Sequence, residues 1–303
     1  MSAKVVLLGC AQDAGLPQVF LIDATPDLRE QLWYIQHPKR KGDSGRPLEL
    51  GGILLTHAHI GHYTGLLQLG KEEADIRGVP VFCTPSMASF LRSNQPWRQL
   101  TDRGNIAIQE LDIDATDNSK DVVPVQLTHS LSVLPVPVPH RAELSDTVAY
   151  VVSVASRAVD ASCTADSHTS KLDLGPPADV SSGGNDTMKL LYCPDTDGWS
   201  DWKRSISSWC NEVDVALLDA TFHGKGELKG RDMSEVSHPI VTETMAQLSG
   251  CNAEVVLIHL NHTNPLLTAD SPERAQAVAA GYKVGSFGME WAPTLETPAD
   301  SRA

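Results

Sequence analysis

Short apolar runs of strand length alternate with longer amphipathic stretches along most of this 303-residue chain. In the first half, this pattern predicts strands at residues 5–8, 19–23, 52–55, 79–83 and 105–111, and helices at 26–35 and 85–93. In the second half, it predicts strands at residues 122–127, 132–138, 147–153, 188–193, 213–218 and 254–260, and helices at 199–210, 239–248 and 272–280. The alternation indicates an α/β fold with two sheets and outer helices.

One segment departs from the alternation. Residues 156–186 are rich in Ser, Ala, Asp, Gly and Pro and hold almost no large apolar side chains. Such a segment buries too little surface to offset the entropy of ordering it, so we expect a flexible surface insertion. The rest of the pattern predicts a single domain over residues 1–295 that carries this insertion, followed by a disordered tail at 296–303.

Composition and charge narrow the possible classes of function. Hydrophobic residues make up 41% of the chain, which is enough for a substantial core. The formal net charge is -14, from 38 acidic and 24 basic residues, and it disfavours nonspecific binding to the phosphate backbone of nucleic acids. A small anionic substrate stays compatible with this charge, because a bound divalent cation dominates the field in its own pocket.

The sequence also predicts the cellular compartment of the protein. The longest apolar runs have strand length, and the N-terminus lacks a basic region followed by an apolar stretch, so we expect neither a membrane span nor a signal peptide. The six cysteines are scattered without a Cys-x-x-Cys pair, which favours reduced thiols over a disulfide framework or a zinc knuckle. We therefore expect a cytoplasmic protein.

A histidine cluster follows the third predicted strand. Residues 56–62 read Thr-His-Ala-His-Ile-Gly-His. A tight loop at the end of a buried strand aims His57, His59 and His62 at one point, and neutral imidazole is the commonest protein ligand for zinc and iron. The cluster therefore predicts a metal site. Gly61 stands where a second metal requires a carboxylate, so the number of metals stays open.

Three further candidate ligands each lie at the end of a predicted strand or two residues beyond it. They are His140, Asp195 and His259. A lone histidine at a strand end is usually structural, but ligands that end strands of one layered fold lie along one edge of that fold. We expect one metal among three imidazoles, a second metal with two imidazoles, and a carboxylate shared between them. The expected sets are His57, His59 and His140 for the first metal, and His62 and His259 for the second, with Asp195 as the bridge.

His262 competes with His259 for the last ligand position. The two histidines lie three residues apart after the same strand, and the alternation of side chains gives only one of them an easy path to the metal. We favour His259 because it adjoins the strand. His262 would then hold a ligand in place or contact the substrate.

The order of these residues resembles the metallo-β-lactamase fold superfamily, whose signature is His-x-His-x-Asp-His followed by a His, an Asp and a last His. Residues 21–27 (Leu-Ile-Asp-Ala-Thr-Pro-Asp) and 258–265 (Ile-His-Leu-Asn-His-Thr-Asn-Pro) are similar to the branch that contains the pyrroloquinoline quinone biosynthesis protein PqqB. The resemblance implies a four-layer αββα sandwich that binds one or two zinc ions, with iron or manganese as alternatives. It implies metal ligation by His57, His59, His62, His140, Asp195 and His259.

A second similarity concerns His238, which precedes His259 by 21 residues. Phosphodiesterase members of the superfamily, including tRNase Z, place a catalytic histidine at a similar distance before the last ligand. Residues 218–222 (Leu-Asp-Ala-Thr-Phe) resemble the tRNase Z element in which a carboxylate orients that histidine. The resemblance implies that Asp219 holds His238, which protonates the leaving oxygen while metal-bound hydroxide attacks. The alternative is a His238 that only caps the helix beginning near Pro239.

The chain departs from the family pattern at two places. Gly61 replaces the Asp that ligates the second metal in the superfamily, so a single-metal site is an alternative. Near the N-terminus, family members carry a cysteine-containing segment and another strand, whereas Gln18 here runs straight into Val19. The resemblance therefore implies a sandwich without one N-terminal strand and with an exposed sheet edge. It also implies that Asp23 is a buried anchor for the ligand loop.

Three functions are compatible with these residues. Our first expectation is a metal-dependent hydrolase that acts on a phosphodiester or another small, anionic ester. The second, implied by the resemblance to PqqB, is an accessory or oxygen-activating role in quinone cofactor biosynthesis, because histidine and carboxylate ligands suit iron as well as zinc. The third is a scaffold that binds a ligand without turnover.

Overall fold

The computed structural model describes residues 7–8, 18–36, 49–113, 123–155, 187–228, 230 and 236–292. The predicted insertion at 156–186 and the predicted tail at 296–303 lie outside these residues. The described part of the chain forms two sheets flanked by helices. None of the helices described is both long enough and apolar enough to cross a membrane.

Within the described residues, the first sheet has five strands in the order β1-β2-β3-β4-β5. These strands are β1 (Leu7–Leu8), β2 (Gln18–Ile22), β3 (Glu49–Leu54), β4 (Val79–Cys83) and β5 (Ile106–Glu110). β1 is antiparallel to β2, and the other neighbours are parallel. β1 pairs with Val19 and Phe20 of β2. Residues 9–17 lie outside the described part of the chain, so the open sheet edge expected near the N-terminus stays a prediction.

The second sheet has seven described strands in the order β12-β11-β10-β9-β8-β7-β6. They are β6 (Val125–Thr128), β7 (Leu131–Pro137), β8 (Val148–Ala155), β9 (Thr187–Cys193), β10 (Val215–Asp219), β11 (Glu254–Ile258) and β12 (Lys283–Val284). The strands from β6 to β9 are antiparallel neighbours, and those from β9 to β12 are parallel. The ends of β9, β10 and β11 consequently lie at one edge of the sheet.

The helices cover the outer faces of the two sheets. They are α1 (Leu28–Gln36), α2 (Ile60–Tyr63), α3 (Pro85–Ser93), α4 (Trp97–Asp102), α5 (Ile206–Cys210), α6 (Val241–Gln247) and α7 (Pro272–Ala279). Local sequence explains where several of them begin. Thr84 accepts a hydrogen bond from the Met87 amide at 3.2 Å, and Pro85 occupies the first turn of α3.

Strand alternation divides the core into layers. Leu54 of β3 packs between the two sheets with Tyr150 and Leu217 of the second sheet, whereas its neighbour Ile53 faces the helices outside the first sheet. On the far side of the second sheet, α5, α6 and α7 enclose a separate apolar cluster that includes Trp209. The order helix, sheet, sheet, helix confirms the predicted four-layer αββα sandwich.

Most predicted elements lie within a few residues of the observed ones. The helix predicted at 199–210 is a correction, because the structure has a 3-10 turn at Trp199–Asp201 and a separate helix, α5. Ser205 caps α5 by accepting a hydrogen bond from the Ser208 amide at 3.2 Å, so the helix begins after this residue. The two-residue strand β12 and the short helices α2 and α4 were not predicted, since they are too short to show a period.

Candidate metal centre

The histidine cluster lies where β3 ends and the chain enters α2. The second sheet holds this loop through its backbone. The Tyr150 hydroxyl donates to the Leu55 carbonyl at 2.7 Å, and the Val148 amide donates to the Thr56 carbonyl at 3.1 Å. His57, only 1% exposed, therefore lies at the junction between the two sheets.

Three histidines converge at one side of this junction. Nε2 of His57 lies 2.8 Å from Nδ1 of His59, and this atom lies 3.3 Å from Nε2 of His140. One donor atom of each of the three residues lies within 4.8 Å of the others. A zinc ion with Zn–N bonds of about 2.0–2.1 Å keeps its ligand atoms at separations of this order. The three imidazoles thus form a credible ligand set for one metal.

Asp195 lies at the centre of the site, after the end of β9. Its Oδ2 lies 2.9 Å from Nε2 of His62, 3.3 Å from Nε2 of His259 and 3.6 Å from Nε2 of His57. Its Oδ1 lies 3.6 Å from Nε2 of His140. A single carboxylate therefore faces imidazoles contributed by both sheets.

Asp195 also provides a test of whether a cation fits this site. Although three imidazole nitrogens lie within 3.6 Å of its Oδ2, this buried oxygen has no hydrogen bond of acceptable geometry within the described residues. A buried carboxylate oxygen without an aligned donor is unfavourable. A cation between the carboxylate and the rings would satisfy this oxygen together with the ring lone pairs, so the donor set fits a metal ion.

Asp23 positions two of the candidate ligands, His62 directly and His57 through Thr56. Its carboxylate accepts a hydrogen bond from the Thr56 hydroxyl at 3.0 Å and lies 2.7 Å from Nδ1 of His62. Because the hydroxyl gives its one proton to Asp23, it accepts from Nδ1 of His57, which lies 2.9 Å away. Nε2 of His57 then carries the lone pair that a metal requires. The implied role of Asp23 as a buried anchor agrees with this geometry.

Asp219 organises a corresponding pair at the end of β10. Its Oδ1 accepts from the Thr221 hydroxyl at 2.7 Å, and its Oδ2 lies 2.8 Å from Nδ1 of His238. The Thr221 hydroxyl in turn accepts from Nδ1 of His259 at 2.8 Å. The expected contact between Asp219 and His238 is present. His238 does not cap α6, whose N-cap is Ile240, so the structural alternative for His238 is not supported.

The two remaining imidazoles have carboxylate partners of their own. Nδ1 of His140 lies 2.9 Å from Oδ1 of Asp197. The His59 ring has the opposite orientation to the His140 ring. Its Nδ1 faces the other histidines, and its Nε2 lies 3.3 Å from Oε2 of the exposed Glu143. Each ring is thus held by an outer partner while its other nitrogen faces the site, as is usual for metal-ligating histidines.

Burial and charge set the protonation of the cluster. Burial, with a smaller effect from the charge of His62, lowers the pKa of His57 to about 2, so this ring is neutral. Burial also acts to lower the pKa of His62, but Asp23 and Asp195 outweigh it and raise the value to about 10. Asp23 and Asp195 thus favour positive charge at His62, and ligation of a metal there would require this imidazole to release a proton.

Two of these residues have a strained backbone. Asp23 has a φ of 63° and His259 a φ of 59°, in the left-handed region that residues other than glycine rarely adopt. Each such residue costs about 1–3 kcal/mol. Hydrogen bonds hold the strained turns, since the Asp23 amide donates to the Leu54 carbonyl at 2.8 Å. Both residues directly follow a strand, so the unusual turn sets the direction of the side chain at the edge of the sandwich.

Gly61 leaves open space beside the site. A Cβ built at this position meets no described atom within 4 Å, and the φ of Gly61 is not positive. Neither steric crowding nor backbone strain therefore requires glycine here. The carboxylate expected from the family pattern is missing, and no described side chain fills the space beside Gly61.

The structure brings together all the residues singled out from the sequence as ligands or catalytic groups. His262 and His129 are exposed instead, and His223 lies in the loop after β10. The roles of Thr56, Thr221, Asp197 and Glu143 were not predicted from the sequence. The threonines and Asp197 do have a simple sequence signal, since each lies within two residues of a predicted ligand or of Asp219.

Comparisons with known proteins agree with this architecture. The family model of the β-lactamase superfamily domain matches residues 18–260. Coenzyme PQQ synthesis protein B of Ectopseudomonas mendocina is 26% identical over 292 residues, which covers 90% of this chain and 83% of the relative. The same protein of Pseudomonas putida (strain GB-1) is 28% identical over 290 residues, covering 89% and 82%.

Solved structures show the same fold. The 1.98-Å crystal structure of Zn(2+)-bound PqqB from Methylobacterium extorquens has a TM-score of 0.63 at 20% identity, covering 90% of this chain and 82% of that one. A long form RNase Z from yeast has a TM-score of 0.50 at 13% identity, covering 94% of this chain and 37% of that one. The resemblance read from the sequence is confirmed.

Proposed function

This chain belongs to the β-lactamase superfamily, and we propose that it is a zinc-binding member that acts on a small molecule in the synthesis of a quinone cofactor. The observation that carries the proposal is the Asp195 carboxylate facing histidines from both sheets. The names of the relatives, coenzyme PQQ synthesis protein B, support the choice of pathway. This favours the second function expected from the sequence over the hydrolase that we expected first.

We assign two adjoining positions to the metal. His57, His59 and His140 would hold the first ion, with Asp195 beside it. The second position has fewer protein ligands, because Gly61 supplies none; its candidates are His62, His259 and the shared carboxylate of Asp195. The zinc in the PqqB structure of Methylobacterium extorquens supports zinc as the first choice, with iron and manganese as alternatives.

The remaining roles fall to the side chains around the metal. A divalent ion bound here would supply Lewis acidity and open coordination positions for a substrate. Asp23 and Asp219 would keep the ligand imidazoles in the tautomer whose lone pair faces the site. The close packing of the two sheets around His57 would restrict water on the inner side, so substrate would enter from the side of His59 and Gly61, where the site is more exposed.

His238 is our candidate for moving a proton to or from the substrate. Its side chain is 14% exposed, and Nδ1 is engaged with Asp219, which leaves Nε2 to exchange a proton. Burial acts to lower the pKa of His238, but the hydrogen bond and charge of Asp219 outweigh it and raise the pKa. A raised pKa keeps this imidazole partly protonated near neutral pH, as a general acid requires.

Hydrolysis of a phosphodiester is the second candidate function. The pairing of His238 with Asp219 favours it, because a carboxylate-held imidazole beside a metal is suited to protonating a leaving oxygen. Both candidate functions use the same ligands. They differ in the substrate, and only the quinone cofactor role with iron in place of zinc would consume oxygen.

Genetic complementation tests the quinone cofactor role. The chain is expressed in a Pseudomonas putida strain that lacks its own coenzyme PQQ synthesis protein B, and PQQ in the medium is measured. We expect the chain to restore PQQ formation and the His57→Ala variant to fail at equal soluble protein. The proposal is wrong if the chain, present in soluble and metal-loaded form, restores nothing while the native protein does.

Metal analysis and a hydrolysis assay separate the alternatives. Purified protein is analysed for zinc, iron and manganese and is then assayed with bis-p-nitrophenyl phosphate. Cleavage that is lost in His238→Ala supports the hydrolase. Iron with oxygen consumption supports an oxidative role, and a folded protein without stoichiometric metal supports a ligand-binding scaffold.

A further inference from the structure

Arg141 lies at the mouth of the candidate metal centre, on the loop that follows His140. This loop is fixed to the histidine cluster, since the Ala58 amide donates to the Ser145 hydroxyl at 2.8 Å. The same hydroxyl donates to the Asp146 carbonyl at 3.0 Å. The loop consequently presents its side chains to the site from a defined position.

A contact with Glu143 locates the guanidinium group. Nη1 of Arg141 lies 3.8 Å from Oε1 of Glu143, whose Oε2 lies 3.3 Å from Nε2 of His59. Arg141 is therefore linked through one carboxylate to the first ligand group.

Among the described residues, the guanidinium has only a weak partner. A separation of 3.8 Å from Glu143 is longer than a hydrogen bond, and the Arg141 side chain is 50% exposed. Exposed ion pairs of this kind are weak because water and salt screen them. Arginine has a rigid fork of donors that matches a carboxylate or phosphate with two parallel hydrogen bonds. An incoming oxyanion can thus displace Glu143 easily.

Two exposed apolar side chains belong to the same two segments as the histidine cluster and Arg141. Ile60 is 70% exposed within the histidine cluster, and Leu144 is 51% exposed on the loop of Arg141. The hydrogen bond between Ala58 and Ser145 brings their two loops side by side. Ligand sites commonly combine apolar walls with a few polar groups that fix orientation. A cation beside two apolar residues matches a ligand that is anionic at one end and apolar at the other.

We propose that Arg141 determines substrate specificity by binding a terminal carboxylate or phosphate of a small molecule whose apolar part lies against Ile60 and Leu144. The assignment rests on the proposed function, because it names the substrate class of the same site. Glu143 is then the internal carboxylate that pairs with Arg141 until the substrate anion replaces it.

Binding of small non-reacting probes tests this assignment. Phenylphosphonate, benzoate and inorganic phosphate are titrated calorimetrically into the full chain, both as purified and after zinc loading. Charge-assisted hydrogen bonds of this kind support an expected loss of affinity on the order of tenfold to a hundredfold in Arg141→Ala. Arg141→Lys should fall between this variant and the wild type. Arg98→Ala, which removes an exposed arginine paired with Asp102 on α4, is the matched control and should bind like the wild type.

Two further variants test the partners of Arg141. Glu143→Gln should bind phenylphosphonate more tightly, since it removes the competing charge while an amide oxygen still faces His59. Ile60→Ser should weaken phenylphosphonate and leave inorganic phosphate unchanged, because only the first probe has an apolar part. The probe that loses more affinity in Arg141→Ala identifies the preferred anion, phosphonate or carboxylate.

The outcomes separate this assignment from the proposed function. Wild-type affinity in Arg141→Ala at full zinc content, or no binding of any probe by the wild type, overturns the role of Arg141 alone. A chain that holds no metal argues against the proposed function instead, and the ratio of wild-type to Arg141→Ala affinity in the metal-free protein still decides the role of Arg141.

Discussion

Asp23 and Asp219 occupy matching positions on opposite sheets. Each is buried, each accepts a hydrogen bond from a threonine hydroxyl, and each lies close to Nδ1 of one histidine, at 2.7 Å for Asp23 and 2.8 Å for Asp219. The histidines differ in their assigned role. Asp23 holds His62, a candidate ligand, whereas Asp219 holds His238, the candidate proton donor. The two carboxylates should therefore affect different properties of the protein.

Substitution of these carboxylates by asparagine separates the two roles. Loss of an outer-shell partner typically lowers metal affinity about 10- to 100-fold, and we expect a loss of this size in Asp23→Asn. Asp219→Asn should lower zinc affinity less, because it reaches a ligand only through Thr221, but it should reduce turnover. Competition with a chromogenic chelator gives the zinc affinity. Wild-type affinity in Asp23→Asn would show that this residue does not support the metal.

The two classes of histidine should respond differently to alanine substitution. His57→Ala should lose stoichiometric metal, because it removes a buried imidazole from the first ligand group. His238→Ala should keep its metal and lose phosphodiester cleavage by about 10²–10⁴-fold, the usual contribution of a general acid. Exposed His129, in the turn between β6 and β7, provides a control. Full turnover in His238→Ala would rule out its assignment as the general acid.

Gly61→Asp should complete the second ligand group. A side chain fits at this position, since a Cβ meets no described atom within 4 Å. The new carboxylate would lie next to His62, so we expect a higher zinc content per chain, measured by plasma mass spectrometry. Gly61→Asn is the matched neutral control and should have the smaller effect. If the zinc content of Gly61→Asp stays unchanged, the second site lacks more than this one carboxylate.

Gly65→Ala should destabilise the protein although Gly61→Ala should not. A Cβ at Gly65 would lie 2.1 Å from the Thr25 carbonyl oxygen and 2.8 Å from Cβ of Leu28. Because the nearest atom belongs to the backbone, the segment must shift, and overpacking of this kind typically costs about 1–3 kcal/mol. Urea unfolding of the two variants measures the difference. Equal stability would mean that α1 moves away without cost.

Glu254 should make the stability of the second sheet sensitive to acid. It accepts from Nζ of Lys283 at 2.5 Å and from Nε1 of Trp291 at 2.6 Å. Burial alone would raise the pKa of Glu254, but these hydrogen bonds outweigh it and lower the pKa. Because the pKa of Glu254 is lower in the folded state, its carboxylate stabilises the fold at pH values above the unfolded-state pKa. This contribution to the free energy of unfolding is lost as pH falls through the folded-state pKa.

The pH dependence of a Glu254→Gln variant checks this contribution. The variant should be less stable than the wild type in urea unfolding at neutral pH, and the difference should shrink at an acidic pH below the lowered folded-state pKa, where glutamate is protonated in both states. A difference of the same size at both pH values would assign the effect to packing.

The ligands were predictable because each has a local signal. His140, Asp195 and His259 directly follow apolar runs, and the alternation of strands and helices places strand ends at a common edge. The outer partners were harder to predict. Thr56 adjoins the ligand His57, but its role depends on a contact with Asp23, which is distant in the chain. Glu143 acquires its role through a contact with the distant His59, and an exposed glutamate three residues after a ligand has no distinctive pattern. Strained turns such as that at His259 are likewise set by tertiary contacts.

The candidate ligands come from both sheets: His57 lies on the loop after β3 and His62 on α2, whereas His140, Asp195 and His259 follow strands of the second sheet. A bound ion would therefore join two parts of the chain that otherwise meet through the apolar layer between the sheets. Thermodynamic linkage then requires that metal raises the unfolding temperature. A cavity between the sheets, for example from Leu217→Ala, should weaken metal binding because it lets the two groups of ligands move relative to each other. Zinc affinity thus becomes a measure of how well the two sheets pack.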